Sequence, residues 1–180
     1  IATQAREVAD LLFYEDLQDV VLVGTSTGGL VICKIAELAR ERTGRLVFVD
    51  ALAPQPGEKV SDIVKRNPDA PMLTTGLTRG PSREQLETRL FADLEPNLKS
   101  WAIERCTMHP IEASDAPGEL DGFWAQPWKA RVIRCRRSIN PSEAHQRRTA
   151  EKLNADWHEL DAGHYPMLSH PNELAKLLQP

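Results

Sequence analysis

The stretch VVLVGTSTGGLVICKIAELA, residues Val20 to Ala39, decides the fold. Its first residues, Val20–Gly24, are apolar without alternation, the pattern of a short strand buried on both faces. From Gly28 to Arg42 the apolar residues Leu30, Val31, Ile35, Leu38 and Ala39 fall at helical spacing, and Gly44 supplies a C-terminal stop. Between strand and helix stands Gly24-Thr25-Ser26-Thr27-Gly28. The G-x-S-x-G spacing alone is weak, since at ordinary Gly and Ser frequencies a chain this long shows it about one time in twenty. Its context is far more specific. A turn from buried strand to helix holds a serine in strained backbone angles, and side chains at Gly24 and Gly28 would collide with neighbouring chain. The Ser26 hydroxyl then stands at a helix N-terminus, where the helix dipole and the Thr27 N–H favour a developing oxyanion. A phosphate cradle is the competing reading. It lacks the lysine of G-x-x-x-x-G-K-[ST], and the glycines do not form G-x-G-x-x-G.

Working outward, residues 2–17 place Ala5, Val8, Leu11 and Leu12 at helical spacing, and Arg45–Asp50 (RLVFVD) reads as a second buried strand. The order helix, strand, helix, strand implies a parallel sheet with helical crossovers. From Pro54 to Pro127 the composition shifts to Pro, Gly and charge, with no strand of similar quality. Ser82–Phe91 is a helix candidate in which Ser82 caps and Gln85 completes a capping box. Asn97–Cys106 is another. The alternation resumes with a strand at Ala130–Cys135, a helix at Pro141–Leu153, a strand at Trp157–Leu160, the loop DAGHYPMLSHP and a closing helix at Pro171–Leu178. The organisation expected is a core at 1–53 and 128–180, with a helical insertion at 54–127 forming a lid or cap.

Composition narrows the function. The 180 residues carry a net charge of −4 and no long basic run, which argues against nucleic-acid binding. The densest basic patch, RCRR at 134–137, reads as solvated residues at a strand end. No apolar run approaches the 18 or so residues of a membrane span. Cys33, Cys106 and Cys135 are an odd number at unrelated spacings, which argues against a disulfide framework or a zinc site and fits a reducing, cytoplasmic setting.

A catalytic serine needs a base. Of five histidines, His109 lies in the insertion, His145 in a predicted helix, His158 in a strand, and His170 opens the last helix. Only His164 lies in the loop after the final strand, the position of the base in a Ser…acid…His order. A His158/His164/His170 metal site has no known ligand spacing, so no metal is expected.

The segments DLQDVVLVGTSTGGLVI, RLVFVDALAPQPGE, ARVIRC and DAGHYPMLSHPNELAKLL resemble the α/β-hydrolase superfamily, in particular its branch of small esterases, plant methyl esterases and hydroxynitrile lyases. The resemblance covers nearly the whole chain and is weakest in the insertion. It implies a parallel α/β-hydrolase sheet with a helical cap, a nucleophile at Ser26, a base at His164, and neither metal nor organic cofactor. The sequence departs from the family in three ways. Thr25 and Thr27 replace the His and bulky residue usual around the serine, making the floor of the site smaller and more polar. The family's acid, expected just after the strand ending VIRC, falls on Ser138. The family's earlier strands and the His-Gly loop carrying the second oxyanion donor have no counterpart, so the sequence reads as a segment of a longer chain.

The leading expectation is a serine ester hydrolase working through an acyl-enzyme, with Ser26 as nucleophile, His164 as base and Thr27 N–H as oxyanion donor. Thr25, Tyr165 and Trp124, with Trp101 and Trp128, are candidates to shape the substrate pocket. The partner expected is a small-molecule ester, with a homodimer left open. For the acid, Asp50 at the end of RLVFVD is the choice, Asp161 is the other candidate, and a Ser–His dyad without an acid is the third reading. A lyase acting on cyanohydrins falls behind, because Tyr165 stands where such lyases carry lysine. A catalytically impaired binding protein on the same scaffold is the alternative from a different class.

Overall fold

The computed structural model describes residues 1–64, 72–111 and 119–179. Strands β1 (Val20–Ser26), β2 (Thr43–Ala51), β6 (Ala130–Cys135) and β7 (Asp156–Leu160) form one wholly parallel sheet in the order β1-β2-β6-β7. Three shorter strands, β3 (Leu73–Thr75), β4 (Thr78–Gly80) and β5 (His109–Pro110), form a separate antiparallel sheet. The fold is α/β, as the alternation of helices and strands requires.

Side chains alternate across a strand, and this sorts the core into two layers. Leu22, Leu46, Phe48 and Val132 face one side, where they meet the helices Ala2–Tyr14, Gly28–Leu38 and Glu143–Leu153 through Leu12, Ile32, Ile35 and Leu153. Val47, Val49 and Ile133 face the other side and pack against Leu174 of the helix Pro171–Leu178. β2 sits between two neighbours and is covered on both faces. Its run from Leu46 to Ala51 is therefore buried throughout, and each large apolar side chain there contributes roughly 1.5–3 kcal/mol.

Three expectations change. β1 is not buried on both faces. It pairs with β2 on one side only among the described residues, and Val21 and Val23 are 38% and 44% exposed. An apolar run without alternation marks a strand, but burial depends on what covers each face. The 54–127 stretch is not purely helical either, since it contains the β3-β4-β5 sheet, whose strands of two or three residues are too short to leave a pattern. Its capping box does form: Ser82 Oγ accepts from Gln85 N at 3.2 Å and Gln85 Oε1 from Ser82 N at 2.9 Å. The helix it starts passes at once into a π-helical turn, Leu86–Leu90. Finally, Leu120 and Phe123 lie within 54–127 by sequence yet pack in the core beside Ile32 and Cys33. Glu37 fixes them there by accepting from Phe123 N at 3.2 Å. Residues 65–71 and 112–118 of the expected insertion lie outside the described residues.

Candidate active site

The site lies at the C-terminal edge of the parallel sheet, where loops leave the strands. β1 ends at Ser26, whose φ of 52° falls in the left-handed region. The other non-glycine residues with positive φ among the described residues are Asp or Asn, which tolerate that region best. A serine there costs of order 1–3 kcal/mol and is held by its surroundings. The pairing of β1 with β2 slips between Thr25 and Ser26, and the Ser26 carbonyl accepts from Leu52 N at 2.9 Å. A Cβ on Gly24 would sit 2.6 Å from the Gly28 carbonyl oxygen. The expectation for Gly28 is corrected: a Cβ there meets nothing within 4 Å, and Gly29 is the close approach, 2.1 Å from the Leu52 carbonyl oxygen. The tight packing is one residue further along because the helix turns its second residue, not its first, toward β2.

Asp50, at the end of β2, is wholly buried and has a φ of 46°. Its Oδ2 lies 2.6 Å from Nδ1 of His164, the short distance of a charge-assisted hydrogen bond. Its Oδ1 accepts from Gln146 Nε2 at 2.8 Å, with Cys135 N a longer contact at 3.5 Å. Gln146 Nε2 also donates to the Pro141 carbonyl at 3.0 Å. One amide thus ties the acid to the segment that follows β6. His164 is held from behind as well, because Gly163 N donates to Asp93 Oδ2 at 2.7 Å. The Tyr165 ring packs edge-on against His164 at 5.1 Å and against Phe91 at 4.9 Å. Burial raises the Tyr165 phenol above its ordinary value.

The other acid candidates are engaged elsewhere. Asp161 takes a two-pronged contact from Arg137, at 3.2 and 2.8 Å, and this lowers its carboxyl below the usual range. Ser138 Oγ donates to the Asn140 carbonyl at 3.0 Å. The basic run Arg134–Arg137 is a set of strand-end ion pairs with Glu143, Glu159 and Asp161.

Two cavities meet at Ser26. One, of about 400 Å³, is lined by Ser26, His164, Arg137 and Ser138–Pro141. The second, of about 380 Å³, is lined by Ser26, Thr27, Leu86, Cys106 and His109 among others. Leu52, Val64, Arg89, Leu90 and Tyr165 border both. Tyr165 lines both cavities and Thr27 lines the second. Thr25 and Trp124 do not line either cavity. Thr25 Oγ1 donates to the Val49 carbonyl at 2.7 Å, because a side chain one residue before the turn still belongs to the strand. Trp124 belongs to the core layer under the helix Gly28–Leu38, with its indole N–H on the Pro54 carbonyl at 2.7 Å. Trp128 stacks on Phe123, and Trp101 lies half exposed beneath Arg105.

His145 is buried and structural. Its Nε2 accepts from Ala53 N at 3.1 Å, and burial first, then the Arg148 cation, push its pKa down to about 4. Sequence reasoning missed Gln146 and Asp93. The signal for Gln146 was present, since it shares the inward i, i+3, i+4, i+7 stripe with Thr149, Ala150 and Leu153. Asp93 left none, because its partner is a backbone N–H seventy residues away.

An apolar strand ending in a strained serine, with a carboxylate and a histidine converging from later strand ends, describes one class of protein. The chain belongs to the α/β hydrolase family, whose pattern it matches over residues 2–177. It is 25% identical to a carbendazim-hydrolyzing esterase of Nocardioides sp. (strain SG-4G), across 99% of this chain and 77% of that one. In structure it resembles an extracellular α/β-hydrolase from a Paenibacillus species, with a TM-score of 0.79 and 17% identity, covering 97% of this chain and 76% of the other. It also resembles the methylesterase MES16 from Arabidopsis, with a TM-score of 0.70 and 18% identity, covering 96% and 74%. Among the described residues no helix is long and apolar enough to cross a membrane.

Proposed function

We propose that this protein hydrolyses small carboxylic esters through an acyl-enzyme, with Ser26 as nucleophile, His164 as general base and acid, and Asp50 as the acid that orients His164. The observation that carries this reading is the 2.6 Å contact between Asp50 and His164 at the sheet edge where Ser26 is held at positive φ. The Asp50 contact with Nδ1 leaves Nε2 of the same ring for the Ser26 proton. The Ser26 oxygen attacks the ester carbonyl carbon while its proton passes to His164 Nε2. The tetrahedral intermediate is held by donors that include Thr27 N–H. It collapses as His164 returns the proton to the departing alcohol oxygen. Water, giving a proton to His164, then attacks the acyl-enzyme, and the acid leaves as Ser26 regains its proton.

Cavities of about 400 and 380 Å³, both bordered by Ser26, suit an acyl group and an alcohol of modest size. Residues from the middle of the chain, among them Leu86, Arg89 and Leu90, form much of the wall, in keeping with a cap over the site. A binding-only protein is favoured by Ser138 at the usual acid position and by Thr25 and Thr27 around the serine; the 2.6 Å contact of Asp50 with His164 supports the hydrolase reading over it. A cytoplasmic setting is proposed from the unpaired Cys33, Cys106 and Cys135. The test is p-nitrophenyl ester hydrolysis together with fluorophosphonate labelling. Ser26→Ala should lose on the order of a million-fold in turnover and all labelling, with the fold intact by circular dichroism. Turnover within tenfold of the parent would remove Ser26 from the mechanism.

A further inference from the structure

The walls of the two cavities have a charge that the whole chain does not. The protein carries a net charge of −4, yet no aspartate or glutamate lines either cavity among the described residues. The charged side chains that do line them are arginines: Arg137 in the first, Arg79 in the second, and Arg89 in both. Their circumstances differ. Arg137 is neutralised by its two-pronged contact with Asp161. Arg89 makes no hydrogen bond and no ion pair with any described residue. Its neighbour on the same short helical segment, Arg83, shows what an ordinary surface arginine does there, reaching Glu87 at 2.8 Å. Arg89 instead borders the junction of the cavities, together with Ser26 and Tyr165. The second cavity adds another unmet polar group, since His109 Nε2 is buried and without a partner.

We infer that Arg89 is a substrate-recognising cation and that the esters this site prefers carry an anionic group, a carboxylate or a similar oxyanion, beside the scissile bond. The inference rests on the ester-hydrolase reading and names its substrate class. The guanidinium offers a planar fork that matches a carboxylate with two parallel hydrogen bonds. An arginine with no ion pair, on cavity walls that carry no carboxylate among the described residues, favours an anionic ligand over a neutral one. Because Arg89 borders both cavities, the anion is accepted on the acyl side or on the alcohol side.

The test compares esters matched in size and differing in charge. For the acyl side the pair is p-nitrophenyl hydrogen glutarate and p-nitrophenyl valerate; for the alcohol side it is 3-acetoxybenzoate and 3-acetoxybenzamide. The parent enzyme should favour the anionic member of at least one pair in kcat/KM, and 0.5 M NaCl should shrink that preference. Arg89→Gln should cut the anionic-to-neutral ratio at least tenfold, and Arg89→Lys should restore part of it. Equal kcat/KM within each pair, or a ratio unchanged by Arg89→Gln, overturns the inference while leaving the esterase reading intact. If the parent cleaves none of the four esters and Ser26 is not labelled by a fluorophosphonate, the esterase reading fails instead. Arg89 is exposed and packs in no core layer, so a misfolded variant is not expected; an unchanged melting temperature checks this.

Discussion

At the scale of single residues, the acid is the point that most needs a number. Asp50 is buried, contacts His164 at 2.6 Å and accepts from Gln146 at 2.8 Å. Asp50→Asn should therefore lower turnover by roughly ten-thousand-fold, the scale seen when a triad acid is neutralised. Ser138→Asp in the parent should add little, because the histidine already has its carboxylate. A near-silent Asp50→Asn, with Ser138→Asp raising activity, would return the site to a Ser–His dyad. On the proposed mechanism Gln146, which donates to Asp50, acts through it as a positioning residue. Gln146→Leu removes a donor to a buried carboxylate, worth roughly 1.5–3 kcal/mol. Turnover should fall by about tenfold to a hundredfold while KM holds. Gln146→Leu that raises KM and spares kcat would mean the side chain shapes the cavity wall through Pro141 instead.

At the scale of elements, the strand-to-helix turn and the histidine loop each depend on one close approach. Gly29 packs against the Leu52 backbone, so Gly29→Ala has no room and should destabilise the fold by several kcal/mol or prevent folding. Gly28, at the first helical position, has open space around it. Gly28→Ala should keep activity and leave the melting temperature level or slightly raised, since alanine is the better helix former by about 1 kcal/mol. The reverse ranking in thermal melts would show the turn to be misdrawn. In the histidine loop, Gly163 N–H is held by Asp93, and a Cβ on Gly163 would lie 2.5 Å from Asp93 Oδ1. Asp93→Ala and Gly163→Ala both break this contact. Each should lower kcat by roughly tenfold, the scale of one hydrogen bond to a charged group. The double variant should be no worse than either single one, because the same contact is lost only once. Full additivity of the two losses would count against a shared contact.

At the scale of the whole molecule, stability should depend on pH through His145. Its imidazole is buried against Ala53 N with Arg148 beside it, while Glu58, paired with Arg148, opposes the shift. The folded pKa of about 4 lies below the unfolded value of about 6.5, so below pH 6.5 the unfolded chain binds more protons than the folded one. The stabilisation is complete above pH 6.5 and is lost as pH falls from 6.5 toward 4, about 3 kcal/mol in all. Urea midpoints measured between pH 7 and pH 5 should decline in the parent and stay flatter in His145→Gln. A parent midpoint constant over that range would sink the assignment.

What the sequence determined by itself is whatever depends on local order. The apolar run before Ser26 and the amphipathic run after it specify strand, turn and helix, and the strand-helix alternation specifies a parallel sheet. Position after the last strand singles out His164, and the Ser82–Gln85 capping box starts its helix as read. What the sequence left open is whatever depends on which strand ends lie side by side. Asp50 and His164 are 114 residues apart, and no periodicity reports that β2 and β7, with β6 between them, deliver their ends to one point. The same holds for Trp124, whose indole turns inward against Pro54 and so leaves the cavity, and for Thr25, whose hydroxyl is taken by β2. Exposure of Val21 and Val23 is likewise a property of what covers β1. Local propensity reads each segment against water, whereas strand order and packing decide which polar atoms are already satisfied, and only an unsatisfied one is left to meet a substrate.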